Sequence, residues 1–87
     1  MRGKITQWFK GYIEKDGEVI YSAFDTEGEI WTRICRSLKM RVRHGSLKPE
    51  DKVLIHVQDA SGYFKECPEI LGGYFHEEGK VSEFIKI

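Results

Sequence analysis

The sequence predicts an all-β domain: a small five-stranded barrel with one short helical connection between its third and fourth strands. Three observations carry this expectation. The first half of the chain is rich in β-branched and aromatic residues punctuated by glycine, a composition of strands rather than helices. Asp16-Gly17 stands between two such runs, and Asp-Gly tolerates the positive φ of a tight hairpin turn. Residues 52–58 alternate cleanly, placing Val53, Ile55 and Val57 on one face and Lys52, Leu54, His56 and Gln58 on the other, the period of a half-buried strand.

The elements follow in order. Residues 4–14 read as a long first strand, with Gly11 as a bulge where it bends. After the turn at 15–17, residues 18–25 form the second strand, with Val19, Tyr21 and Ala23 on one face and Ile20, Ser22 and Phe24 on the other. Residues 26–29 make the next turn and 29–35 the third strand. In residues 36–45, Leu38 and Val42 are four apart, which suits a short helical turn with its charges in solvent. Pro49-Glu50-Asp51 turns the chain into the fourth strand, 59–62 is a loop, and 69–75 reads as the fifth strand. Residues 81–87 fit either a short strand or a helical tail. Three strands, a helical connection and two more strands is the order of an OB-fold barrel, a partly open architecture that commonly binds oligonucleotides. The barrel is expected over about residues 4–76 of a single domain, with 77–87 as a tail.

With 87 residues the chain has room for one compact domain. Its composition is 40% hydrophobic and no apolar run approaches a membrane span. Met1 leads straight into a strand-like segment, so no export signal is read, and the two cysteines, Cys35 and Cys67, are far apart. The expectation is a monomeric, cytoplasmic protein with reduced thiols and no membrane contact.

The chain carries 14 basic and 14 acidic side chains, yet the neutral total conceals a local excess. Between Arg33 and Lys48 stand Arg33, Arg36, Lys39, Arg41, Arg43 and Lys48 with no acid among them. The plain reading is a solvated connection that keeps a small protein soluble. The functional reading is a phosphate-binding patch. Arg36, Lys39 and Arg43 recur at spacings of three and four, so a helical turn puts them on one side. Arg33 is expected on the preceding strand, facing away from Ile34. Four of the six bases are arginine, which grips phosphate oxygens bidentately as lysine cannot. His44, beside Arg43, adds a weaker contact. RNA is the expected partner.

Trp8, Tyr12, Tyr21 and Trp31 fall on the first three expected strands, where exposed rings could stack on bases. In so small a core most aromatics must be buried, and Phe9 and Phe24 are assigned there. The three histidines and two cysteines show no Cys-x-x-Cys or His-x-x-x-His spacing, so neither a metal nor another cofactor is expected. No nucleophile elbow, phosphate-binding loop or carboxylate pair suggests an enzyme.

Residues 17–25 (GEVIYSAFD), Gly28 and residues 33–42 (RICRSLKMRV) resemble the core of translation initiation factor 1A and bacterial initiation factor 1. In that family a strand runs into a basic helical connection, and Ile34, Leu38, Lys39 and Arg41 fit its pattern. Residues 51–57 (DKVLIHV) resemble its fourth strand and 67–74 (CPEILGGY) its fifth. The resemblance implies an RNA-binding protein that docks on the small ribosomal subunit. Residues 3–9 (GKITQWF), 10–13 and 19–24 also resemble the opening strands of a cold-shock domain. That resemblance implies a single-strand binder with Trp8, Tyr12 and Tyr21 as its stacking residues. A third reading is a protein-interaction OB module using its acidic flank.

Overall fold

The computed structural model describes residues 8–59 and 74–86. In chain order they form β1 (Trp8–Lys15), β2 (Glu18–Thr26), α1 (Glu27–Arg43), β3 (Lys52–Asp59), β4 (Tyr74–Lys80) and α2 (Val81–Phe84). The strands make one antiparallel sheet in the order β2-β1-β3-β4. More residues lie in strands than in helices, as expected. The expected five-stranded barrel is not what these residues form: the sheet has four strands and stays open, and a long helix covers one face.

The β1–β2 hairpin turns on two residues, Asp16 at φ 55 and Gly17 at φ 81, the left-handed pair that matches strand twist. The ladder shifts where Ile13 pairs with Tyr21 and Glu14 with Val19, leaving Ile20 as the extra residue of a bulge. The bulge therefore lies in β2, and Gly11 pairs regularly with Ala23. Gly11 has another task. A Cβ built there would sit 2.8 Å from Ile30 Cγ1 and 2.9 Å from Ile34 Cδ1, so the missing side chain is what lets α1 lie against β1.

Residues 29–35, expected as a strand, lie in the first half of α1. The reason is a stripe at helical spacing: Ile30, Ile34 and Leu38 are each at most 1% exposed, with Trp31, Cys35 and Val42 partly buried beside them. Burial of that stripe, at about 1.5–3 kcal/mol per large side chain, overrides the weak helix propensity of its β-branched and aromatic residues. The short helix expected over 36–45 is the second half of this element. Gly45, at φ 83, ends it: its N–H donates to Val42 O and that of Ser46 to Arg41 O, the paired bonds of a Schellman cap. Arg41 and Arg43 stand in the last turn of α1, where cations meet the negative end of the helix dipole favourably.

The core lies between α1 and one sheet face. Phe9 and Ile13 enter it from β1 and Val53, Ile55 and Val57 from β3, the last three as their alternation predicts. Phe24, assigned to the core, is instead 43% exposed on the opposite face, because its position in β2 has the parity of Ser22. Residues 81–87, left between strand and helix, begin with the single turn α2. Its Val81 N–H donates to Asp51 O and its Ser82 N–H to Pro49 O, and Val81 and Ile85 close that end of the core. Of the expected strand 69–75, only Tyr74 and Phe75 are described, as the start of β4. Residues 4–7 of the expected first strand, the 59–62 loop beyond Asp59, and Cys67 lie outside the described residues. Cys35 is a free thiol.

Candidate nucleic-acid interface

On α1, positions 33, 36, 37, 40, 41 and 44 recur at spacings of three and four, and so share one flank. That flank leans over the first half of β2, where Tyr21 faces it. Between them lies an open cleft of about 420 Å³, lined by Tyr21, Arg33, Arg36, Arg41 and His44, with Ser37, Met40 and Ser46 between the bases. The helix is what makes this convergence. Arg33 on a separate strand would point elsewhere; on α1 it joins Arg36 one turn away.

The bases in the cleft differ in how they are held. Arg33 Nε donates to Asp25 Oδ2 at 2.5 Å, and the Thr26 N–H donates to Asp25 Oδ1 at 2.8 Å. The Arg33 guanidinium, followed by the Thr26 amide, holds the Asp25 carboxyl below the usual aspartate range. Asp25, followed by Tyr21, raises the Arg33 guanidinium in turn. Arg41 Nη2 donates to the Ile20 carbonyl at 2.6 Å and its Nε to Ser37 Oγ at 3.4 Å. Each of these arginines keeps further N–H donors for a ligand. Arg36 is exposed and among the described residues its side chain has no hydrogen bond or ion pair.

Not every expected base joins the cleft. Lys39 and Arg43 continue round the helix and line a second groove with Val42, Ile85 and Lys86. Lys48 lies apart in the loop before β3, its backbone N–H donating to Asp51 Oδ2. The four aromatics expected to stack also divide. Trp8, 38% exposed, and Tyr12 are on the sheet face away from α1. Tyr21 lines the cleft, and Trp31 packs edge-on against Phe75 with centroids 4.8 Å apart. Sequence reasoning missed Phe24 and Lys10 on the open face, where the Lys10 ammonium lies 5.9 Å above the Phe24 ring; their shared parity with Trp8 across the hairpin was the available signal. It also missed the meeting of His56 with His76 across β3 and β4.

Comparison with protein-family models, curated proteins and solved structures found no match for this chain. Geometry must carry the function. No described helix is long and apolar enough to cross a membrane.

Proposed function

We propose that this protein is a non-enzymatic RNA-binding module that grips phosphates along the basic flank of α1. The observation that carries the reading is the cleft itself: Arg33, Arg36, Arg41 and His44 around one opening of about 420 Å³, with Lys39 and Arg43 extending the positive surface outward. Asp25 is the one acid engaged there among the described residues, and Arg33 already neutralises it. Such a surface concentrates phosphate and releases counterions when it binds. The resemblance of residues 17–25 and 51–57 to initiation factor 1 supports a structured ribosomal RNA as target. The geometry supports only the phosphate-binding half of that reading, because the segment read as strand plus connection is one helix.

A second reading has its own observation. Trp8 and Phe24 are exposed on the sheet face away from α1, with Tyr12 and Lys10 on the same face. Rings on an open antiparallel sheet suit stacked bases of a single strand.

The test is a pair of variants measured against two ligands. Arg36→Glu with Lys39→Glu reverses two exposed charges without touching the core, and binding to a structured RNA should fall at least tenfold. Trp8→Ala with Phe24→Ala should leave that binding intact. If the charge-reversed protein binds structured RNA like the parent, the proposal fails. If only the ring variant loses affinity, by about 1–3 kcal/mol per stacked base for single strands, the sheet face is the binding surface.

A further inference from the structure

Two histidines meet on the sheet face opposite α1. His56 in β3 and His76 in β4 are direct partners in the antiparallel register. Their Nδ1 atoms are 3.0 Å apart, with ring planes at 83°. The His56 ring is steadied from two further sides. Tyr12 of β1 stacks on it with centroids 4.7 Å apart and planes at 16°, and Gln58 Oε1 lies 3.1 Å from its Nε2. A carboxamide oxygen only accepts, so neutral His56 carries its proton on Nε2 and presents a bare lone pair at Nδ1. In the metal-free pair His76 donates its Nδ1 proton to that lone pair.

We propose that His56 and His76 chelate a divalent transition-metal ion of the copper(II) and nickel(II) class through their two Nδ1 atoms. Distance selects the ion. Imidazole nitrogens bind such ions at about 2.0–2.1 Å, which sets two of them about 2.9 Å apart at a right angle and about 3.4 Å apart at the tetrahedral angle. The 3.0 Å separation fits the right angle, the tetragonal preference of copper(II) and nickel(II), better than tetrahedral zinc. The surroundings of His56 match what a metal-binding histidine requires, since its Nε2, the nitrogen not used for coordination, is fixed by the Gln58 oxygen. Among the described residues no third His, Cys, Asp or Glu joins the pair. His76 is exposed and His56 only 8% so, which lets the ion enter from the β4 side.

The proton balance closes. On binding, His76 gives up its Nδ1 proton to solvent and takes one at Nε2, so both imidazoles stay neutral and no oxidation state changes. Hard cations such as magnesium prefer oxygen ligands and gain nothing here. The site lies across the sheet from the basic cleft, on the face of the second, ring-stacking reading, whose Tyr12 is the ring stacked on His56.

Nickel titration of the full chain, followed by NMR of the imidazole ring protons, tests the proposal. The chain has three histidines, and the third, His44, serves as an internal control at the far end of α1. Near neutral pH, paramagnetic nickel should broaden the His56 and His76 signals together at one equivalent and spare His44, while magnesium leaves all three unchanged. His76→Ala removes an exposed side chain, so the fold survives, and it should weaken nickel binding about tenfold or more; His44→Ala should not change it. Uniform broadening of all three histidines, or parental nickel affinity in His76→Ala, overturns the proposal.

Discussion

Replacing Gly11 by alanine tests the contact on which the placement of α1 depends. The new Cβ would stand 2.8 Å from Ile30 Cγ1, 2.9 Å from Ile34 Cδ1 and 3.1 Å from Ile30 Cδ1. Comfortable carbon–carbon contact begins at about 3.5 Å. The helix must therefore rise by roughly 0.7 Å, or both isoleucines must leave their rotamers. Overpacking of this kind costs about 1–3 kcal/mol. Alanine recovers about 0.5–1 kcal/mol, because glycine is a poor strand residue. The net loss is about 0.5–2 kcal/mol, a fall in Tm of roughly 3–15 °C for a domain of this size. Urea unfolding of Gly11→Ala, Ile34→Val and the double variant measures it. Ile34→Val deletes the atom at 2.9 Å and alone costs about 0.5–1.5 kcal/mol; in the Gly11→Ala background it should cost clearly less, because it relieves the clash. A Gly11→Ala protein as stable as the parent, or costs that simply add, would refute the reasoning.

Three other expectations follow. Ile55→Ala empties a fully buried position in β3 and should cost about 2–5 kcal/mol, a large share of a total of about 5–15 kcal/mol, read by chemical denaturation. If about four phosphates are engaged, the log–log plot of RNA affinity against salt should have a slope near −3; a flat plot means that the bases do not touch phosphate. Asp25→Asn removes the acid beside Arg33 and should strengthen RNA binding about threefold, as measured by filter binding. Its carboxyl is held below the usual range, so its contribution to stability is fully present above the ordinary aspartate value of about 3.9 and is lost as pH falls through the lower folded value; Asp25→Asn should flatten that acid limb.

What the sequence disclosed was local. The Asp16-Gly17 turn needs only its own two residues, and the inward set Val53, Ile55 and Val57 needs only alternation. The expected helical segment ran to Gly45, two residues past Arg43 where α1 ends, and Gly45 in its left-handed conformation is what stops it. Spacing placed Arg36, Lys39 and Arg43 on one side of a helical turn, but the structure divides them, Arg36 lining the cleft and Lys39 and Arg43 the second groove. The misread stretch was 29–35, where isoleucine, tryptophan and threonine favour a strand by propensity while Ile30, Ile34 and Leu38 repeat every four residues. Splitting the chain at Arg36 hid that repeat, and with it the convergence of Arg33 on the cleft. The meeting of His56 with His76 was not legible at all. It depends on the pairing register of β3 and β4, two segments 20 positions apart at those residues, and no short spacing encodes it.

The bond from Arg41 to the Ile20 carbonyl bears on how the protein behaves in company. An open sheet has what a barrel lacks, an outermost strand whose backbone can recruit another chain. In β2 that exposure is blunted twice over: the bulge at Ile20 breaks the regular ladder, and Arg41 occupies a carbonyl that an incoming strand would need. The arginine that blunts this edge also lines the proposed phosphate cleft. A ligand that drew Arg41 away from Ile20 would bare that acceptor, so occupation of the proposed cleft and exposure of the sheet edge would be linked through one side chain.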